Sequence, residues 1–315
     1  MKLLAVLLAV GCSGAEVRVQ VLSLFRLSAF GVKAASMQLG GQALGSQLTV
    51  SAKGRMVCAG NVCGEALRTF GGSVELSVPG KISRSYPGDV RITARDGELV
   101  AVIGLDLENA VAAVVAAEMP SAPVEAQLAQ AVAARSFYAA QARRHGDADF
   151  CDSTHCQFLT VSTEASRDAA LRTRGRVLRF RGKPVPAMYF RSCGGRTMRA
   201  EDVRLPGGEY PFQAVECAVC GRDPYRWVSE LPEGAVPESR SEAERLELTR
   251  RLGWGRLPSN DYVVERREGK GAVLRGKGEG HGVGMCQRGA VGMAVSGADF
   301  MGILRHYFPG ASLGE

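Results

Sequence analysis

The chain has 315 residues, 46% of them hydrophobic and 6% aromatic, with a formal net charge of +7 and a pI near 9.0. That length holds two modest domains, or one large domain with an appendage. The basic balance suits an anionic polymer or envelope, but Lys and Arg are not clustered as in a nucleic-acid binder, and no run of eighteen apolar residues follows the N-terminus.

The chain opens with MKLLAVLLAVGCSGAEVRV: one Lys, a short apolar stretch, then small residues. This is the build of an export signal over residues 1–15, with cleavage after Ala15. LAVGC is also a loose lipoprotein box, which would make Cys12 a lipidated first residue. A buried N-terminal element of a cytosolic chain is the alternative, and the abrupt change to EVRVQV argues against it. Export places the protein in the periplasm or cell envelope, with membrane contact only through such a lipid or signal anchor. Eight cysteines remain beyond Cys12: Cys58, Cys63, Cys151, Cys156, Cys193, Cys217, Cys220 and Cys286. An even count in an exported chain permits disulfides, and spacing does not fix their pairing.

Residues 16–104 read as a β-rich N-terminal region. EVRVQVLSLF, QLTVSA, SVELSV, DVRITAR and ELVAVIGL are short runs of β-branched and aliphatic residues punctuated by Gly, Pro and Ser. Residues 105–315 read as a mixed α/β region with a groove, so the fold class is α+β. DLENAVAAVVAAEM forms one helix, stopped at Met119 because Pro120 disfavours the α conformation before it. Ser121 then caps a second helix with Pro123 in its first turn, running to about Arg144. Loop-like sequence resumes at His145. GRVLRFRG and VPAMYFRSC are strand-like, Ser241–Leu252 is a charged helix, and a Gly-dense loop at Gly278–Gly284 leads into a single last helix, AVGMAVSGADFMGILRHYF.

One carboxylate has an unusual setting. Leu107, Val111, Val114, Val115 and Glu118 share a face of the first helix at 3.6-residue spacing. Glu118 thus continues an apolar stripe and sits at the negative end of the helix dipole. Desolvation and dipole both raise a carboxyl pKa, as a general acid at neutral pH requires. On the second helix Val124, Leu128, Ala131, Arg135 and Tyr138 share a face, and a guanidinium in that stripe needs a partner. Glu118 is one candidate partner and a bound anionic group another. A structural Glu118–Arg135 ion pair is the bland alternative, and it would lower the Glu118 pKa.

Four blocks resemble the SpoIID/LytB family, the stage II sporulation protein D and amidase-enhancer proteins of bacterial envelopes. They are AAEMPSAPVEAQLAQAVAARSFY, CDSTHCQ, YFRSCGGRT and GHGVGMCQRGAVGMAVSGADFMGILRHYFPGASL. They come in the family's order and cover about Leu105 to Leu313. The resemblance implies a lytic transglycosylase acting on the glycan strands of peptidoglycan, with Glu118, in Glu-Met-Pro, at the family's catalytic position. Such an enzyme cleaves between N-acetylmuramic acid and N-acetylglucosamine without water: the muramyl 6-hydroxyl attacks its own C1 and leaves a 1,6-anhydro sugar. One carboxyl group then suffices, whereas an ordinary glycosidase uses two set ~5–9.5 Å apart. Glu125, Glu201 and Asp202 read more simply as surface charges. The alternative function is a non-catalytic glycan-binding enhancer of a cell-wall amidase. A redox or metal-storage module built on the cysteines is the third reading.

His145, Cys151, His155 and Cys156 give the pattern H-x5-C-x3-H-C, and zinc takes thiolate and imidazole ligands. Adjacent side chains usually diverge, so His145, Cys151 and Cys156 are favoured, with the fourth position open. Members of the resembled family bind zinc in this region; a Cys151–Cys156 disulfide is the alternative. Arg135, Gln157, Ser192, Gly194, Gly195, Thr197, His281 and Gln287 are the candidate substrate-binding residues. The glycines would let a bulky glycan approach the main chain, or else serve only tight turns. Cys217-x2-Cys220 is open to a disulfide involving Cys193 or to a second metal clip. Two departures from the family stand out: Leu128, where the family often has Lys, and Cys286, where it usually has Ser.

Overall fold

A computed structural model describes residues 16–141, 145–235, 237–266 and 271–314. The expected export segment, residues 1–15 with Cys12, and the expected helix end at Arg144 lie outside the described residues. The chain is α+β. It divides into two units, one made of the chain up to Ala110 together with His145–Cys156, the other of Val111–Arg144 and Gln157–Glu315. No helix among the described residues is long and apolar enough to cross a membrane.

The N-terminal unit is built on an eleven-stranded sheet. The main path runs Phe150–Cys151, Glu16–Val21, Glu98–Asp106, Val90–Arg95, Ala66–Val78, Ala29–Leu39, Gln47–Lys53, Met56–Ala59, Val62–Gly64. Alternation writes the buried face: Val17, Val19 and Val21 turn inward while Glu16 and Arg18 stay exposed, and Leu99, Ala101, Ile103 and Leu105 repeat the pattern. Each aliphatic side chain fully buried this way contributes about 1.5–3 kcal/mol. Sequence reading missed Ala29–Leu39, whose alternation slips at a bulge between Ala34 and Ser36. Gly71, at φ 120°, makes that bulge feasible, because a Cβ there would stand 2.7 Å from the Ala35 Cβ. Cys58 and Cys63, cross-strand partners in a hairpin, form a disulfide.

The segment His145–Cys156 groups with this unit although it comes much later in the chain. Phe150–Cys151 adds a parallel strand beside Glu16–Val21. Asp152, 2% exposed, then anchors the loop. It accepts from the amides of Leu22 (2.9 Å) and Ser23 (3.2 Å), from the Ser23 hydroxyl (2.9 Å) and from the Tyr86 hydroxyl (2.7 Å). A buried carboxylate is tolerated because donors surround it.

The second unit begins within helix α1 (Leu107–Glu118), at Val111, and is organised on it and on α2 (Val124–Ala140). Both are enclosed rather than amphipathic. Ala110 through Val115 are each at most 1% exposed, and Ala126 through Tyr138 are all buried. Leu128, 2% exposed, is therefore a core residue. The expected Ser121 cap is not made; Pro123 occupies the N-cap position without a side-chain bond. Helix α3 (Glu164–Arg172), read from sequence as loop, begins with a Thr163–Ser166 capping box. Helices α4 (Ala218–Arg222) and α5 (Glu242–Leu252) follow, the latter capped by Ser241. The expected single last helix is two, α6 (Gln287–Val295) and α7 (Phe300–Tyr307). Gly297 at φ 91° ends one turn of chain, and Asp299 starts the next helix by accepting from the Gly302 amide at 2.7 Å. A three-stranded sheet of Arg226–Leu231, Ala272–Lys277 and Tyr262–Arg266 was not foreseen and has its own small core around Trp227, Tyr262 and Leu274.

Arg135 corrects an expectation. Its side chain is 1% exposed, and the guanidinium donates to the carbonyls of Ala170 (3.0 Å) and Arg176 (3.3 Å) and to the Thr173 hydroxyl (3.3 Å). The last carbonyls of a helix lack intrahelical donors, and a cation there also suits the dipole. Arg135 thus fastens α3 to α2. Arg135→Ala is expected to lower stability by about 3 kcal/mol or more in urea unfolding, from the cavity and the stranded carbonyls. Arg135→Lys should recover only part, since an ammonium cannot serve the same fan of acceptors. A glycan-contacting arginine would instead leave stability unchanged and weaken glycan binding.

Candidate functional site

Glu118 is the last residue of α1, and the turn after it is fixed from both sides. Pro120 stops the helix, and the Gln127 amide on α2 donates to the Met119 carbonyl at 2.9 Å. The Glu118 side chain keeps some accessible surface but is crowded by protein. Its Oε2 accepts from the Gln287 Nε2 at 2.9 Å, and the Phe158 amide also donates to the carboxyl. Gln287 Nε2 reaches Gln130 Oε1 at 3.5 Å as well. Gln130 is fully buried, and its Nε2 has no hydrogen-bond partner among the described residues. Burial raises the Glu118 pKa above the ordinary carboxylate value; the Gln287 bond, the Phe158 amide and the Arg191 charge oppose it without cancelling it.

Two glycine-rich turns stand beside this carboxyl group because strands Tyr189–Phe190 and Met285–Cys286 pair in parallel. The first strand leads into SCGGRT, and the second follows GHGVG. The pairing demands glycine at Gly284, at φ 82°, where a Cβ would fall 2.2 Å from the Met188 carbonyl oxygen. At Gly194, φ 67°, a Cβ would meet the Lys277 side chain at 2.8 Å. These glycines serve the approach of chain to chain.

The other expected residues divide clearly. Gln287 touches Glu118. Gln157 accepts from the Tyr189 hydroxyl at 2.7 Å and donates to the Ala134 carbonyl at 3.4 Å. Both ring nitrogens of His281 are committed to main chain: Nδ1 accepts from the Val283 amide at 3.1 Å, so Nε2 donates to the Tyr189 carbonyl at 3.0 Å. Burial holds its pKa below the ordinary histidine value, so it stays neutral. Thr197, 2% exposed, accepts from the Val215 amide at 2.8 Å, and Ser192 is 4% exposed. His281, Thr197 and Arg135 thus bond main chain and Ser192 is buried, whereas Gly195 is half-buried at the turn. Glu125 accepts from the Phe300 amide at 2.8 Å, and Asp202 pairs with Arg199. A cleft of about 390 Å³, lined by Phe180, Lys183, Pro186 and Tyr210 among others, includes none of the residues around Glu118.

The loop in the N-terminal unit forms a separate candidate metal centre. The ligand atoms of His145, Cys151, His155 and Cys156 all lie within 4.8 Å of one another. His145 Nε2 is 3.2 Å and His155 Nδ1 3.5 Å from the Cys156 Sγ, and His155 Nδ1 is 3.9 Å from the Cys151 Sγ. A tetrahedral zinc with bonds of ~2.0–2.3 Å has ligand–ligand edges of roughly 3.4–3.8 Å, so the set fits one ion. The expectation that His155 diverges from Cys156 is corrected. A turn closed by the Cys156 amide on the Ser153 carbonyl (2.9 Å) swings both side chains to one side. Hydrogen bonding from Cys156, His155 and Ser153 draws the Cys151 thiol down to about 3, into the thiolate form that metals bind. Neither Cys151 nor Cys156 is in a disulfide.

Sequence reading missed Gln127, Gln130, Phe158 and Arg191, and set His155 aside in favour of Cys156. The two glutamines carried a signal: they stand three apart on a helix that is otherwise almost wholly apolar.

The family model described as Stage II sporulation protein (SpoIID) matches residues 95–180, a span that holds Glu118, its turn and the His/Cys loop. An uncharacterized protein of Brachyspira hyodysenteriae is 27% identical over 271 residues, 72% of this chain and 72% of its own length. The stage II sporulation protein D of Bacillus amyloliquefaciens is 27% identical over 266 residues, 68% of this chain and 76% of its own. The amidase enhancer of Bacillus subtilis is 40% identical over 52 residues, 16% of this chain and 7% of that protein. With its Glu-Met-Pro turn, its two glycine-rich turns and these matches, the chain is similar to the stage II sporulation protein D and amidase-enhancer proteins.

Proposed function

We propose that this protein is an exported lytic transglycosylase that cuts peptidoglycan glycan strands, with Glu118 as its single acid and base. The observation that carries the reading is a desolvated carboxyl group with a raised pKa, held by the Gln287 amide. Protonated Glu118 gives its proton to the oxygen bridging the muramyl C1 and the next sugar, and that bond breaks. The resulting carboxylate takes the proton of the muramyl 6-hydroxyl as its oxygen bonds to C1. The acid is regenerated, no water is consumed, and a 1,6-anhydro end remains. Gln287 fixes the carboxyl orientation throughout, and the Arg191 charge steadies the carboxylate between the two transfers. The engagement of Glu125 and Asp202 elsewhere fits a one-carboxyl mechanism.

A second reading, a non-catalytic enhancer that binds glycan and stimulates a cell-wall amidase, draws on the likeness to the amidase enhancer. The loop of His145, Cys151, His155 and Cys156 would hold zinc, which supplies a tetrahedral cross-link in a sequence too short to pack its own core.

Glu118→Gln is expected to keep the fold and reduce release of 1,6-anhydro products from purified sacculi by about 10²–10⁴-fold, read by mass spectrometry. Cleavage at the normal rate would sink the enzyme reading, and undiminished amidase stimulation by an otherwise inert variant would favour the enhancer. The rate should fall as pH rises through the raised Glu118 pKa, because the acid form is lost. The same shift has a stability sign: its contribution is complete below about pH 4.3 and is lost as pH rises through the folded value. Glu118→Gln should therefore be more stable than wild type at neutral pH and equal to it in acid, as thermal melts at the two pH values would report. Finally, Cys151→Ser/His155→Ala is expected to lose one zinc per chain by metal analysis, whereas a Cys151–Cys156 disulfide would leave zinc content unchanged.

A further inference from the structure

Four cysteines from three parts of the chain meet in the core of the second unit. Cys193 lies in the SCGGRT turn, Cys217 and Cys220 begin and enter helix α4, and Cys286 ends its strand and caps α6. Each is at most 4% exposed, and none is in a disulfide. Their four sulfurs all lie within 4.8 Å of one another, with Cys220 and Cys286 3.6 Å apart. A single zinc ion bound at ~2.3 Å to four sulfurs sets edges of about 3.8 Å.

The surroundings are those of thiolates rather than packed thiols. The Gly289 amide donates to the Cys286 sulfur at 3.3 Å, and the Gly195 amide donates to that of Cys193. A main-chain N–H can only donate, so both sulfurs act as acceptors. The Tyr307 hydroxyl stands 3.4 Å from the Cys217 sulfur and the Ser192 hydroxyl 3.7 Å from that of Cys220. Every sulfur therefore has its own polar neighbour, the arrangement that orients and tunes metal thiolates. Glycine is required at Gly289, where a Cβ would fall 2.6 Å from the Cys217 sulfur and 1.9 Å from the Tyr307 hydroxyl oxygen.

We propose that Cys193, Cys217, Cys220 and Cys286 bind one zinc ion in a closed four-thiolate site. The C-x2-C spacing of Cys217 and Cys220 is that of a zinc knuckle. A multi-iron cluster distributes its thiolates over several irons and does not fit inside a 4.8 Å set of sulfurs. With four protein ligands no position is left for water or substrate, so the ion is structural. Its place gives it a definite task. It joins the ends of the paired strands Tyr189–Phe190 and Met285–Cys286 to helix α4, and Gln287, the residue after Cys286, holds Glu118. The ion therefore sets the position of the Gln287 amide. Two residues that set this chain apart or escape a simple motif reading, Cys286 and Cys193, acquire one explanation.

The claim is read by metal content, without any glycan assay, so its failure and failure of the proposed activity are distinguishable. The full chain is prepared with His145→Ala/Cys151→Ser, which removes the loop centre. It is expected to retain one zinc per chain, with an X-ray absorption spectrum of four sulfurs and no nitrogen. Adding Cys220→Ser should reduce the zinc to none. Should either variant fail to fold, wild-type protein exchanged with cadmium-113 serves instead, and one of its resonances should fall in the all-sulfur range. The proposal is overturned if the double variant holds no metal while its four thiols alkylate freely, if iron occupies the site, or if the denatured, unreduced mass is lower by the four hydrogens of two disulfides beyond the two already lost to Cys58–Cys63.

Discussion

The hydrogen bond from the Gln287 amide to Glu118 is the contact on which the rest of the second unit is arranged. A carboxyl group at the end of a fully enclosed helix costs several kcal/mol if it is charged and alone. Here it is only partly accessible, and no direct ion pair holds it among the described residues. An amide side chain, a main-chain N–H and a charge that acts without direct pairing hold it at a pKa between that of a surface glutamate and that of an isolated buried acid. A close guanidinium would have given more stability and a permanently ionised group. The polar residues around Glu118 are thus nearly all neutral, as suits the proposed role of giving and taking a proton.

Getting Gln287 there takes a long detour of chain. The residue belongs to the first turn of α6, whose start is fixed by the parallel pairing of two very short strands. Two-residue strands supply little stability by themselves. The glycine turns on either side allow close main-chain approach, the His281 ring ties its own turn at Val283 to the strand at Tyr189, and the four cysteines gather at the strand ends. The loop of the first unit shows the same economy: a sequence with few apolar residues is ordered by one buried carboxylate, Asp152, and by four converging metal-type ligands.

Much of this was legible in the residues. Alternation marked the strands at Glu16, Val90 and Glu98, and Pro120 marked the end of α1. The setting of Glu118 pointed to an acid with a raised pKa. What failed, failed for identifiable reasons. Helices α1 and α2 are largely enclosed, so the stripes that made Glu118 one candidate partner of Arg135 had little directional meaning, and the arginine went to the carbonyl end of α3. That helix itself was hidden because its composition is polar, with only Ser166, Ala169 and Ala170 buried. His155 was discounted because neighbouring side chains diverge in extended chain, which is untrue in a tight turn. Ser192, Thr197 and His281 are polar residues in glycine-rich sequence, and such sequence does not tell a turn that binds a ligand from a turn that binds its own backbone.

The central claim is that Glu118 is an acid because it is poorly hydrated and only partly compensated. The direct measurement is a carbon-13 NMR titration of the glutamate side-chain carboxyls in wild type, with Glu118→Gln used to assign the missing signal. The account expects that signal to titrate clearly above the other glutamates, and to move further upward when Gln287→Ala removes the compensating amide. A Glu118 carboxyl that titrates with the surface glutamates, or below them, would contradict it.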